Sequence, residues 1–334
     1  MITVHSRRNG AVETSVLAVG QPLPDGVVWI DLQNPTPDED RHVEALLAIT
    51  VPTAEEMRAI EESSRFYTIG NAIYLTTPVI HGRGGSGNFR LDPVVYILVD
   101  TILVSVRETE PTPFRLVTAA LARPGGISAR DNGVDVLMLL VEAIVDRIAD
   151  HLENVAIRLD AESRRLFGNP ADNAAKPPPP LTTEAFKKAL RLIAYEGEFL
   201  SKARESLAGV SRFTVFALNN VPSARSRKAV VAQIASIDKD IQYLSGHAAY
   251  LGERVTFLID AVVGLVSVEQ NAIIKLFSVA AVAMMPPTLV ASIYGMNFRN
   301  MPELAWPFGY PLAIALMVVS AALPIVYFKR RGWL

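Results

Sequence analysis

Apolar and polar residues are patterned in three different ways along the chain. In the first third, short runs rich in β-branched and aromatic residues predict strands: "VVWIDL" (Val27 to Leu32), "AIYLTTPVI" (Ala72 to Ile80), "VVYILV" (Val94 to Val99) and "TILVSVR" (Thr101 to Arg107). Asp100 separates the last two and predicts a tight hairpin. In "TPDEDRHVEALLAI", Thr36 is placed to cap a helix, with Pro37 as its first residue and Glu39 as the capping-box partner. A second helix is expected to begin near Thr53. From Gly133 to Phe167 the spacing turns helical, with Val136, Leu139, Leu140, Ala143, Ile144 and Ile148 on one face. "GNPADNAAKPPPP" (Gly168 to Pro180) breaks that helix, and another runs from about Thr182 to Gly209, so the pair predicts an antiparallel hairpin. After Pro222 no proline occurs until Pro286. That stretch reads as one helix on the order of 90–100 Å long, which needs packing partners along its length.

The third pattern is the absence of charge. Leu276 to Ile293 and Ala305 to Phe328 contain no charged residue. As helices they span roughly 27–36 Å, matching a bilayer core of ~30 Å. Two buried helices of a soluble domain are the alternative, but uncharged runs this long are rare there. Lys275 precedes the first run and Lys329, Arg330 and Arg331 follow the second, while the connector carries only Arg299 and Glu303. The positive-inside rule then puts both ends in the cytoplasm and the connector outside. Trp306, Tyr310 and Trp333 fall where interfacial aromatics are expected. "MITVHSRRNG" has no apolar core, so no cleavable signal peptide is expected.

Composition narrows the function. The 334 residues carry 32 Lys and Arg against 34 Asp and Glu, for a net charge of −2, which gives no footprint for nucleic acid. There is no cysteine, which excludes thiolate metal sites, and the five histidines show no zinc-ligand spacing. "GRGGSGN" (Gly82 to Asn88) lacks the Lys-Ser/Thr of a phosphate loop. No nucleophile–base pair or metal-ligand cluster stands out, so an enzyme is not expected and no cofactor is implied.

One stripe of the long helix carries chemistry. Steps of four and three give Asp260, Gly264, Ser267, Asn271, Ile274, Ser278, Ala281, Met285, Thr288 and Ser292, a 3.5-residue period. Small residues of this kind also let membrane helices approach closely, so a helix–helix contact is the alternative to a pore wall. Asn271 and Asp260 favour the pore, since a carboxylate on an inward face near a membrane marks an ion route. Two helices enclose no lumen, so a pore requires several subunits around an axis. Pro286 and Pro287 lie within the span and are expected to kink it, either as a tolerated bend or as a hinge.

"YGMN" (Tyr294 to Asn297) followed by "MPEL" (Met301 to Leu304) resembles the signature and outer loop of the CorA family of magnesium transporters. "EQNAIIKLFSV" and "PPTLVASIYGMNF" resemble its first membrane helix, "WPFGYP" and "YFKRRGWL" its second helix and basic tail, and "WIDLQNPT" and "PTAEEMRAIEESSRF" parts of its N-terminal domain. The resemblance implies an α+β cytoplasmic domain (1–125), a helical hairpin (126–221), a stalk helix (222–293) whose first span begins near 273, an outer loop (294–304), a second span (305–328) and a basic tail (329–334). It implies a funnel-shaped homopentamer in the bacterial inner membrane. It also implies influx of Mg2+, with Co2+ and Ni2+ as further substrates, regulated by intracellular Mg2+. Gly295, Met296 and Asn297 match the filter motif. Asn271, Met285 and Thr288 match pore-lining positions, and Asp260 matches an acidic position at the cytoplasmic end. The family's regulatory Mg2+ sites do not map clearly. Asp238 and Asp240 are candidates, with a solvated helix face as the alternative.

The chemistry fits the ion. Mg2+ demands octahedral oxygen coordination and dehydrates reluctantly. A ring of neutral oxygens from Asn297 would hydrogen-bond the hydrated ion and still release it. Gly295 is expected to allow a tight turn there. Inward movement of a divalent cation through 100 mV gains roughly 4.6 kcal/mol, so no nucleotide is needed. Ile274, Phe277 and Met285 are candidate apolar constrictions that close by dewetting. Two rival readings remain at this point: a Zn2+ transporter of the same architecture, and a membrane-tethered scaffold that conducts nothing.

Overall fold

The computed structural model describes residues 1–8, 11–59, 61–82, 89–123, 132–168, 182–221, 227–296, 301–302 and 306–333. They form two compact units, Met1–Leu258 and Ile259–Leu334.

The first unit is built on a seven-stranded mixed sheet. Its strands are β1 (Ile2–Arg8), β2 (Ala11–Leu17), β3 (Val27–Gln33), β4 (Phe66–Ile69), β5 (Ala72–His81), β6 (Arg90–Val99) and β7 (Ile102–Arg107), in the order β2-β1-β3-β7-β6-β5-β4. Only β3 and β7 pair in parallel; the other neighbours are antiparallel. Four strands lie where the apolar runs place them. β1, β2 and β4 lie outside those runs and form the two margins of the sheet. The hairpin at Asp100 is present: Val99 pairs with Ile102, and Asp100 takes φ +49°.

One sheet face packs on α1 (Pro37–Leu47) and α2 (Ala54–Met57), burying Ile30, Leu32, Val43, Met57, Val95 and Val104. Both helices start with complete capping boxes, Thr36 with Glu39 and Thr53 with Glu56. The short α3 (Glu62–Arg65) leads into β4. The other face packs on α4 (Thr112–Leu121) and on a long antiparallel pair, α5 (Gly133–Phe167) and α6 (Thr183–Asn220). Between sheet and helices lies a buried polar chain. Trp29 Nε1 donates to Ser105 Oγ (2.8 Å), Ser105 donates to Asp31 (2.6 Å), and Arg107 donates to both Asp31 oxygens. His5 stacks on Trp29 at 4.2 Å, and burial lowers its pKa to about 4, so the ring stays neutral.

α6 does not stop near Gly209 as expected; it runs on to Asn220. Gly209 is buried instead against β5, where an added Cβ would come within 2.7 Å of Pro78 and 2.9 Å of Thr77 Oγ1. Close packing, and not helix termination, explains that residue. Arg158 ties α5 to α6 by donating two bonds to the buried Glu196 (2.6 and 2.8 Å).

The predicted long helix is α7, Lys228–Tyr294, 67 residues, or about 100 Å. Pro286 and Pro287 lie inside it and neither ends it. Within the first unit its buried residues are Val230, Ile234, Ile237, Ile241, Leu244, Ala248, Leu251, Val255 and Leu258. Those alternating steps of four and three are a coiled-coil seam. Gly197 of α6 approaches Val255, and Arg254 pairs with Asp160 of α5 at 2.5 Å. This is the packing that so long a helix requires.

Candidate functional site

The second unit holds the apolar part of α7 and the helix α8 (Gly309–Arg330). Both are long and apolar enough to cross a membrane. Their surfaces are those of helices meant for lipid or for other chains: Leu276, Leu289, Val318 and Leu323 are each about 60% exposed. The buried residues of these two apolar helices are few and small: Val279 (4% exposed), Ala283 (6%) and Ala313 (9%). Pro286, Pro287 and Val290 are half-buried around Val279 and Ala283.

Every residue of the stripe is on the other side. Asp260, Gly264, Ser267, Asn271, Ile274, Ser278, Ala281, Met285, Thr288 and Ser292 are all exposed, as is Phe277. At roughly 100° per residue, Val279 and Ala283 stand about 160° and 200° around the helix from Ala281. The stripe and the buried seam are therefore opposite faces of one helix. A shallow groove of about 430 Å3 runs along the exposed face, lined by Ala281, Met284, Met285, Thr288, Leu289 and Ser292.

Two of the four hydroxyls on this face bond to their own helix. Thr288 Oγ1 donates to Met284 O at 2.7 Å and Ser267 Oγ to Val263 O at 3.0 Å. With the proton committed to the backbone, each oxygen is left to accept. A face of acceptors without formal charge suits a cation that keeps its water. Asp260 adds a carboxylate at the opposite end of the stripe from Ser292.

At the end of α7, Gly295 N–H donates to Ala291 O (2.9 Å) and Met296 N–H to Ile293 O (3.2 Å), so the helix closes on a tighter, 3₁₀-type bond. Gly295 does not take the left-handed conformation expected of a tight glycine turn. An added Cβ would sit 3.1 Å from Ala291 O, a tight contact in the same turn. Met296 is half exposed. Asn297 lies outside the described residues.

The two regulatory candidates are not brought together. Asp238 accepts from Gln242 Nε2 at 2.9 Å on the same helix. Asp240 is exposed and faces an acidic row on α5 that the sequence reading overlooked, Glu142, Asp146 and Asp150 at four-residue spacing. Burial first, then the charges of Glu142, Asp150 and Asp240, raise the Asp146 pKa. Among the described residues, no three metal-ligating side chains converge as an ion site would need. Also overlooked were Tyr243, Tyr250 and Phe257, exposed on α7 at seven-residue spacing, with His247 stacked between the two tyrosines. The signal is the seven-residue step along the helix.

Residues 24–330 match the family model described as CorA-like Mg2+ transporter protein. "Magnesium transport protein CorA" of Escherichia coli (strain K12) is 33% identical over 337 residues, covering 100% of both chains. The protein of the same name from Yersinia pseudotuberculosis is 33% identical over 308 residues, covering 92% of each. The complete structure of the CorA magnesium transporter from Methanocaldococcus jannaschii has the same fold, with a TM-score of 0.74 at 18% identity, covering 100% of this chain and 99% of that one. A family match over nearly the whole chain, full-length relatives at one-third identity and two apolar C-terminal helices have one meaning: the chain belongs to the CorA family of membrane transporters.

Proposed function

We propose that this protein carries hydrated Mg2+ into the cell down its electrochemical gradient, through a path on the axis of a homopentamer. The observation that carries this reading is the stripe from Asp260 to Ser292, exposed along its whole length and opposite the face that the chain buries. A small and polar face without a partner in one chain needs copies of itself around an axis, and that arrangement encloses water. The 33% identical relative is named for magnesium transport, which supports the choice of ion. Co2+ and Ni2+, of similar size and hydration, are further substrates. Gly295, Met296 and Asn297 form the outer filter. Ile274, Phe277 and Met285 (61, 70 and 70% exposed) supply the apolar constrictions. Intracellular Mg2+ closes the path. The first unit forms a funnel in the cytoplasm of a bacterial cell, and both termini lie on that side of the inner membrane.

The chain contains no cysteine, so single cysteines report cleanly. In liposomes, Ser278→Cys and Ala281→Cys should react with a charged, water-soluble thiol reagent and lose Mg2+ flux on reaction. Val279→Cys, on the buried face, should do neither. Failure of both stripe cysteines to react would show that the stripe faces protein or lipid.

The constrictions make a separate prediction. Shortening an apolar ring eases its wetting. Ile274→Ala and Met285→Ala should therefore raise basal flux several-fold and weaken inhibition by internal Mg2+. Unchanged flux and unchanged inhibition in both variants would remove them as gates.

A further inference from the structure

The end of α8 is folded more tightly than a basic tail needs to be. Arg331 caps the helix, its N–H donating to Tyr327 O (3.1 Å). Gly332 takes φ +72°, a conformation that glycine adopts without strain, and donates to Lys329 O at 3.2 Å. Trp333 N–H donates back to Phe328 O at 3.0 Å. These two bonds, six-to-one and five-to-two, are a Schellman motif. Its usual apolar contact is also present, with the Trp333 ring 5.2 Å from that of Phe328. The turn satisfies the last carbonyls and pins the indole to the helix rim.

Three cations stand on that rim. Lys329, Arg330 and Arg331 are exposed and consecutive, so at about 100° per residue they fan across roughly 200° of the helix. Among the described residues none of the three has an acidic partner, and their side chains make no hydrogen bond. Arg331 lies over the Tyr327 ring at 5.6 Å, a contact that uses its charge and leaves its N–H donors free. The helix end presents carbonyls, so the backbone offers nothing to an anion and recognition falls to side chains. Free guanidinium donors match phosphate oxygens in pairs. Tyr327, Phe328 and Trp333 place the cluster at the depth where aromatic rings meet headgroups.

We propose that residues 329–333 form a docking collar for the headgroups of anionic phospholipids. This rests on α8 crossing the membrane and not on which ion the protein carries.

The test uses the full chain reconstituted in bilayers of mixed phosphatidylglycerol and phosphatidylcholine, with spin-labelled forms of each lipid reporting the motionally restricted fraction. Wild type should restrict phosphatidylglycerol several-fold more strongly than phosphatidylcholine at low salt. R330Q/R331Q should lower that preference, by up to about fivefold per charge removed. R330K/R331K, which keeps the charge, should retain most of it. Equal restriction of the two lipids by wild type, or an undiminished preference in R330Q/R331Q, would overturn the proposal. Should R330Q/R331Q not fold, wild type in 1 M salt decides: screening should abolish the preference, and its persistence there overturns the collar. Asn297→Ala should keep the lipid preference whatever its flux, so a failure of the ion reading and a failure of the collar leave different traces.

Discussion

Replacing Asn297 by alanine should cut Mg2+ flux into liposomes at least tenfold while leaving the protein folded and membrane-inserted. The reason is the chemistry of the ion. Magnesium holds its water tightly, so an entry site works by hydrogen bonds to that water and not by direct ligation. A carboxamide oxygen accepts such bonds without carrying charge, which attracts the hydrated ion and still lets it leave. Each bond contributes about 1 kcal/mol net. Losing two or three of them around an axis amounts to roughly 30–160-fold in rate. The neutral acceptors farther along the stripe, Thr288 and Ser267, fit the same principle, since their protons are already given to the backbone. Hexammine-cobalt, a stand-in for a cation with a fixed inner shell, should block wild-type flux. Asn297→Ala with wild-type flux, or flux that the mimic leaves untouched, would remove recognition of the hydrated ion from the mechanism.

Gly133→Ala should cost about 3 kcal/mol, at the upper end of what one added methyl does in a packed core. Gly133 is the first residue of α5, where its N–H donates to Thr101 O at 2.6 Å. A Cβ there would sit 2.3 Å from Leu103 N and 2.6 Å from Ile102 C. Both are backbone atoms of β7, a central strand, so no side chain can rotate away to make room. At roughly 2–4 °C per kcal/mol for a unit of this size, thermal unfolding of the detergent-solubilised protein should come about 6–12 °C earlier. Gly246→Ala is the counterpart. Gly246 is exposed on α7 and has nothing within 4 Å of its Cβ position, so alanine should stabilise by up to about 1 kcal/mol. Two glycine-to-alanine changes in helices, with opposite signs, separate packing from propensity. A Gly133→Ala protein that melts with wild type would mean that α5 does not dock on β7 this closely.

Much of the fold was legible because the signals are local. The capping box expected at Thr36 involves residues three apart and forms, and the helix expected near Thr53 starts there with a box of its own. The uncharged runs announce membrane helices through composition alone. The stripe was visible because a helix maps sequence spacing directly onto a face.

The missed parts are the ones decided at long range. β2 keeps most of its residues exposed, β1 ends in two exposed arginines, and β4 has only four residues. β1 buries only Ile2 and Val4 as apolar residues, with the polar His5 and Ser6 beside them, and β2 and β4 bury little, so none leaves a long apolar run and each becomes a strand through the neighbour it pairs with. The parallel pairing of β3 with β7 joins residues more than seventy positions apart. The helix expected to end near Gly209 runs on to Asn220, and only the approach of Pro78 shows Gly209 to be a contact.

The sequence by itself determined that the chain ends in two apolar helices, that one of them bears a polar stripe, and which family motif follows it. Only the tertiary structure decided which face of that helix the chain keeps for itself. Val279 and Ala283 are apolar and small, like several residues of the stripe, and nothing in their chemistry separates them from Ala281. What separates them is burial. The chain covers a narrow seam at Val279 and Ala283 and leaves the stripe on the opposite side exposed, and only an exposed face is available to other copies, to water and to an ion.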